Sequence, residues 1–362
     1  TKAWEAVPGA REPGTILTRY YLRNRDTEKA LSTARTLYES NPDAPDVLRL
    51  LGSAQMAAKE NASAVTTFQR MANLMPEQAL PRILLATAEA ASGDQAAAEK
   101  ALRDVLKDDP ENLQAKSLLA KVLVDANKAQ QALKEALDLQ KQHPKEAAGF
   151  LIEGDVLTRE GDHKLAAAAY QAAYDREPSA RLAARQHTAL QKAGSDGFMD
   201  PLLTWLEKNP EDRGVRLMTA MAYSRAGDVK NSITQYETLL ESTPNNVIAL
   251  NNLALMYQKQ GDSRALGTAR EAYDRAPGQL AIADTYGWML VQEGDPAAAV
   301  PVLEKALLID ENQAVVRYHL AVALAESGDR TRARRELEKL LVRGGDFAEK
   351  DDARALLSQL TQ

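Results

Sequence analysis

The chain has 362 residues, a hydrophobic fraction of 44% with only 5% aromatics, and a formal net charge of −6 with both signs interspersed, which disfavours nucleic acid or an anionic membrane as partner. The absence of cysteine removes disulfides, thiol catalysis and thiolate metal sites together. No stretch approaches the roughly 20 apolar residues of a spanning helix, and the start at Thr1, without an initiator Met or a signal-peptide pattern, reads as a trimmed or processed end.

Residues 1–10, with Pro8 and Gly9, read as an N-terminal arm or linker in which Trp4 docks onto the first helical hairpin, and Pro13 suits a first helical turn. A period then sets in. Pro42, Pro76, Pro110, Pro144 and Pro178 stand 34 residues apart, and Pro210, Pro244 and Pro277 continue the series with small slips. A fixed period of that length is the signature of a solenoid. Ten units begin at Arg11, Pro45, Ala79, Leu113, Ala147, Arg181, Arg213, Val247, Leu280 and Ala314, the last ending near Phe347. The expected organisation is an arm at 1–10, five units over 11–180, a short irregular unit at 181–212, four units over 213–347 and a capping helix at 348–362.

Three recurring slots make each unit a helix pair. The slot of Gly154 is small almost throughout (Gly52, Ala86, Ala120, Ala220, Ala254, Gly287, Ala321), and so is that of Ala166 (Ala30, Ala64, Ala98, Ala132, Ala265, Ala299, Ala333). Small residues in both let the helices approach closely, and overfilling such a crossing costs about 1–3 kcal/mol. Between the helices stands a Gly-Asp pair, at Gly93-Asp94, Gly161-Asp162, Gly227-Asp228, Gly261-Asp262, Gly294-Asp295 and Gly328-Asp329. Glycine takes the left-handed conformation that ends one helix, and aspartate caps the amides that open the next. Each proline then stops the second helix.

Departures from the pattern are expected to show. The unit 181–212 is two residues short, carries Thr188 and Phe198 in the small slots and is expected to start its second helix at Asp200, with Pro201 in the first turn; it reads either as a local offset in the superhelix or as a tolerated deletion with no mechanical role. The ninth unit has Glu311 where proline belongs, so its helices are expected to run on more continuously. Asp346 to Leu360 reads as an amphipathic cap with Ala353, Leu356, Leu357 and Leu360 on one side.

The period with its small, small and proline slots, together with Tyr21, Tyr223, Tyr257, Phe68, Tyr170 and Tyr236, resembles the tetratricopeptide repeat (TPR) family from Arg11 to Phe347. The resemblance implies an all-α fold: a right-handed α-solenoid superhelix of about ten TPR-like hairpins plus a C-terminal capping helix. Its first helices would line a concave groove that binds proteins or peptides. A narrower resemblance is carried by Asn251-Asn252-Leu253-Ala254, Asp284-Thr285-Tyr286-Gly287-Trp288 and Tyr318-His319-Leu320-Ala321. These blocks are similar to the C-terminal repeats of bacterial TPR proteins tied to exopolysaccharide production and export, among them the lipoproteins associated with exosortase (PEP-CTERM) systems. That implies a periplasmic or outer-membrane-associated protein with a lipid anchor upstream of Thr1.

On the TPR template the slots of Leu151, Ile152 and Asp155 face the groove. In the C-terminal half they give the candidate partner-binding residues Met218, Met221, Asn251, Asn252, Leu255, Asp284, Trp288, Tyr318 and His319, flanked by Leu217, Thr285 and Val322. Met, Trp and Tyr offer adaptable or large apolar contact, while asparagine can hold an extended peptide backbone. The competing reading has Met and Leu packing adjacent units and His319 as a packing or surface histidine; Trp288 and Asn252 are expected to face the groove. Asn252 resembles the groove asparagine of carboxylate clamps and of the asparagine ladder in the glycosyltransferase that modifies Ser and Thr with N-acetylglucosamine. The equivalent slots hold Ile16, Leu50, Leu84, Leu118, Ile152, Gln186, Met218, Thr285 and His319, which breaks a ladder, and no matching Lys and Arg surround Asn252.

His143, His163, His187 and His319 lie in different units without the spacing of metal ligands. The recurrent glycines belong to helix–helix turns, so no phosphate loop, dinucleotide fingerprint or nucleophile elbow is expected. Arg330, Arg332, Arg334 and Arg335 are interleaved with acids, with Arg332–Glu336 and Arg334–Glu338 at helical pair spacing, a solvated face. Glu153 has no specific partner in sight. No catalytic residue, cofactor or metal is expected. The chain reads as a non-enzymatic scaffold binding a protein or peptide in its groove, within a bacterial envelope export system. The alternatives are a regulatory or substrate-presenting region of a larger enzyme and a cytoplasmic co-chaperone.

Overall fold

The computed structural model describes Trp4, Val7, residues 9–342 and residues 347–361. Every regular element among them from Arg11 onward is an α-helix, and the chain divides into two compact units, Thr1–Pro201 and Leu202–Gln362.

Unit 1 contains α1 (Arg11–Arg23), α2 (Thr27–Ser40), α3 (Pro45–Ala57), α4 (Asn61–Leu74), α5 (Ala79–Ser92), α6 (Gln95–Asp108), α7 (Leu113–Asp125), α8 (Ala129–Gln142), α9 (Ala148–Glu160), α10 (His163–Arg176) and α11 (Ala180–Lys192). The boundary falls inside α12 (Asp200–Lys208). Unit 2 continues with α13 (Arg213–Ala226), α14 (Val229–Ser242), α15 (Val247–Gln260), α16 (Ala265–Arg275), α17 (Leu280–Gln292), α18 (Pro296–Ile309), α19 (Ala314–Glu326), α20 (Arg330–Val342) and α21 (Lys350–Thr361). From α1 to α11, and again from α13 to α21, each helix packs on the next. First helices of neighbouring hairpins also touch: α1 with α3, α5 with α7 and α7 with α9 in unit 1, α15 with α17 and α17 with α19 in unit 2. Each hairpin therefore buries its apolar faces against its neighbours, which is the α-solenoid arrangement.

The alanines of both small slots are buried in every regular hairpin, and where the first slot is glycine the facing residue is large. A methyl on Gly154 would stand 2.5 Å from a Tyr170 ring carbon, one on Gly287 2.6 Å from Leu303, and Gly52 faces Phe68 in the same way. In these three hairpins glycine is a packing requirement.

The turns need one left-handed residue each. All six glycines of the Gly-Asp pairs take it, with φ of 88° at Gly161 and 79° at Gly227, and Gly194 (φ 68°) does so in the irregular unit. Where glycine is absent, Arg25, Lys59 and Asn127 adopt the same conformation at φ 58°, 62° and 57°, a strain invisible in the repeat pattern. Asp94, Asp228, Asp295 and Asp329 cap as expected, accepting the amides of Ala97, Asn231, Ala298 and Arg332. Two aspartates do not. Asp162 receives no capping bond; Asp262 accepts from the amide and guanidinium of Arg264, and α16 begins only at Ala265.

From Pro42 to Pro277, each proline of the ladder lies two residues beyond a second helix. The ninth hairpin stops as sharply without one. Asp310 accepts the Asn312 amide (2.9 Å) and the Gln313 side-chain amide (2.6 Å), so a carboxylate turn ends α18 at Ile309 and the expected run-on does not occur. In the irregular unit Thr188 is exposed and is not a small-slot residue; His187 (3% exposed) turns inward, its Nδ1 donating to the Phe198 carbonyl at 2.7 Å. Glu153 finds its partner in Gln140, whose amide donates to it at 2.6 Å.

At the termini, Trp4 packs with Leu37, Val47 and Leu50 of the first two hairpins. Pro8, like most of the arm, lies outside the described residues. The α21 residues Ala353, Leu356, Leu357 and Leu360 cover Ala321, Leu337 and Leu340 of the last hairpin; the expected start at Asp346 is outside the described residues. Of the two ion pairs expected on α20, Arg334–Glu338 forms at 2.7 Å. Arg332 instead pairs with Glu304 of α18, and Glu336 with Arg317 of α19 and Lys339, because the facing helices supply nearer partners. No helix among the described residues is long and apolar enough to cross a membrane.

Candidate functional site

The residues singled out in unit 2 fall on its four first helices: Met218 and Met221 on α13, Asn251, Asn252 and Leu255 on α15, Asp284 and Trp288 on α17, Tyr318 and His319 on α19. The last four form one cluster. Trp288 and His319 stack with ring centroids 4.0 Å apart and planes 14° from parallel, Tyr318 lies 6.4 Å from Trp288, and His319 Nδ1 donates to Asp284 at 2.7 Å. His319 is only 7% exposed, so its contacts are largely used within the protein. Tyr318 packs on the α21 cap and Trp288 on the apolar core of the last two hairpins.

The α13 and α15 residues differ among themselves. Met221 packs beside Tyr236 and Leu253, whereas Met218 (37%) and Leu255 (36%) are exposed. Asn252 lies beside the Tyr236 hydroxyl. The Asn251 side-chain nitrogen lies 3.5 Å from the Asn252 oxygen, and its own oxygen is buried without a hydrogen-bond partner among the described residues. A buried, unpaired acceptor of this kind is costly.

Unit 1 holds a more open site that the sequence reading did not single out. A cavity of about 770 Å³ lies among α7, α9 and α11, within the size range of pockets that enclose ligands. Its walls come from the same slots. The slot of Leu151 contributes Ser117, Leu151 and Arg185, and the slot of Asp155 contributes Lys121, Asp155 and Ala189. Ser117, Ala148, Ala184 and Ala189 are small, which leaves the space, while Leu151 and Ile152 give it an apolar floor. The signal that could have found it was the slot rule itself, applied to the N-terminal half and read for small side chains flanked by cations.

Gly154 connects the packing of this hairpin to the cavity. Its missing side chain admits the Tyr170 ring from α10, whose hydroxyl donates to Asp155 (2.8 Å) and lies 3.0 Å from the Thr158 hydroxyl. Burial pushes the Tyr170 hydroxyl pKa up, so it stays a protonated donor. Asp155, held from below, forms an ion pair with Arg185 of α11, whose guanidinium lies 5.8 Å from the Tyr170 ring centroid. Burial lowers the Arg185 pKa from its high ordinary value without neutralising the group. At the rim Arg159 stands 3.7 Å from Asp125. Lys121 on α7 and Arg181 and Lys192 on α11 are exposed and make no ion pair among the described residues. Five cationic side chains thus face two carboxylates in a chain that is acidic overall. Among the described residues no group of His, Cys, Asp and Glu is placed to hold a metal ion.

A model described as a tetratricopeptide repeat-like domain matches residues 20–192, and models described as tetratricopeptide repeats match residues 217–282 and 290–360. No curated protein matches the chain in sequence. Similar solved structures include yeast Tom70 (13% identity over 99% of this chain and 88% of that one, TM-score 0.41) and the APC/C hetero-tetramer Cut9–Hcn1 (12%, 100% and 98%, TM-score 0.45). A tetratricopeptide repeat protein from Parabacteroides merdae is similar at 17% identity over 68% of this chain and 98% of that one, with a TM-score of 0.42. With repeat models of one kind falling on both units, over hairpins that follow one 34-residue pattern, the chain is a tetratricopeptide repeat protein.

Proposed function

We propose that the protein is a non-enzymatic scaffold that holds a partner protein or peptide on its first-helix faces, with the unit 1 cavity as the anchor. One observation carries this reading: three consecutive first helices leave a cavity of about 770 Å³ with an apolar floor and a polar rim, the arrangement that recognises side chains of an extended segment. On unit 2, exposed Met218 and Leu255 offer a second, shallower contact. The setting we propose is a bacterial envelope assembly for exopolysaccharide or surface-protein export, in the periplasm or at the outer membrane. The support for that is the three sequence blocks at 251–254, 284–288 and 318–321.

The anchor is tested by Thr188→Trp, which fills the cavity from an exposed position. A partner captured in cells by the full chain should be held at least about tenfold more weakly by this variant, at unchanged melting temperature; undiminished retention contradicts the anchor. The setting is tested by fractionation of cells producing the natural full-length protein. Recovery with the envelope, bearing a lipid-modified N-terminus, is expected, and recovery only in the cytoplasm contradicts it.

A further inference from the structure

We infer that the segment bound in the unit 1 cavity is an extended peptide in which an apolar side chain is flanked on both sides by Asp or Glu. This rests on the reading of the cavity as the anchor and adds its specificity. Two of the five cations around the cavity are already matched, Arg185 by Asp155 and Arg159 by Asp125. The three without an ion pair among the described residues stand on opposite walls, Lys121 on α7 and Arg181 and Lys192 on α11, with the apolar floor of α9 between them. An acidic ligand is therefore attracted at both walls, while the rest of an acidic chain repels it and so favours one docking position.

The geometry also separates an internal acidic segment from a lone terminal carboxylate. Packed helices lie about 8–10 Å apart, and α7 packs on α9 whereas α9 and α11 do not pack directly, so the outer two of the three first helices are no closer than roughly 16–20 Å, a span of about five or six residues of extended chain or more. One carboxylate reaches one wall; acids spaced by about four to six residues reach both. The apolar side chain midway between them would enter against Leu151 and Ile152.

The experiment is calorimetric titration of the full chain with an acetylated, amidated peptide, Glu-Glu-Ser-Leu-Ser-Glu-Glu, and with the same peptide carrying Gln for every Glu. Blocked ends remove terminal charge from the comparison. The acidic peptide should bind at least about tenfold more tightly than its amide twin, and its affinity should fall as salt rises. Lys121→Gln and Arg181→Gln, both at exposed positions, should each weaken it by about three- to tenfold, while Lys259→Gln on unit 2 should not change it. Equal binding of the two peptides, binding of neither, or binding of an oligouronate of equal charge in place of the peptide overturns the inference. The proposed function fails differently, through undiminished partner retention by Thr188→Trp. If that variant releases the partner while the two peptides behave alike, the anchor stands and its acidic specificity falls.

Discussion

The two units present the same helical slots with opposite contents. At the unit 1 cavity the slot of Asp155 holds Lys121, Asp155 and Ala189, and the helices leave a space between charged walls. On unit 2 the same slot holds Met221, Leu255, Trp288 and Val322; Leu255 stays exposed, while Met221 packs beside Tyr236 and Trp288 stacks on His319, itself bonded to Asp284. An aromatic-rich run in a repeat protein thus marks a face whose volume is largely filled. Small residues between cations mark the face that is open. Both arise from one backbone pattern, and side-chain volume decides which results.

The largest expected effect probes the filled face. Trp288→Ala removes a half-buried ring that covers His319 and should lower the unfolding free energy by about 3 kcal/mol, read from the denaturant midpoint. A loss below about 0.5 kcal/mol would make the unit 2 face as open as that of unit 1. Next comes Gly154→Ala, which drives a methyl into the Tyr170 ring and should cost about 2 kcal/mol. Because Tyr170 holds Asp155, this variant should also weaken ligand binding in unit 1, and unchanged binding would separate the cavity from the hairpin packing.

A smaller effect has the opposite sign. The regular hairpins of unit 2 turn on glycine throughout, whereas unit 1 places Arg25, Lys59 and Asn127 in the left-handed conformation. Lys59→Gly should therefore stabilise the protein by up to about 1 kcal/mol, and a destabilisation would contradict the strain assigned to that turn. The smallest effect is a pH dependence in unit 2. Burial pushes the Glu336 carboxyl up, but Lys339 and Arg317 outweigh it and hold the group below its usual 4.5. A depressed carboxylate contributes its stability in full above about pH 4.5 and loses it as pH falls through the lowered value. Glu336→Gln should thus be less stable than the parent at neutral pH, with the difference shrinking in acid; a difference constant with pH rules out this linkage.

Much of the fold was legible because it is set locally. Period, turn glycines and stopping prolines act within one hairpin, and the helices begin and end where these residues stand. Features set by a neighbouring helix were not legible. Arg332 chooses Glu304 over Glu336 because α18 faces it, and Asp262 is taken by Arg264 before it can cap α16. The absent proline at Glu311 misled for a related reason, since Asp310 builds the turn by side-chain bonds that no slot pattern records. The unit 1 cavity depends on the volumes of side chains from three helices at once. Its residues were in the pattern, but the space between them was not.

The central claim is that the partner anchors on the first helices of unit 1, not on the aromatic face of unit 2. The most direct measurement places a photoreactive leucine at the centre of the acidic peptide, cross-links it to the full chain and maps the attachment by mass spectrometry. Attachment to residues of α7, α9 or α11, lost in Thr188→Trp, is the predicted result; attachment confined to α15 or α17 would contradict the account.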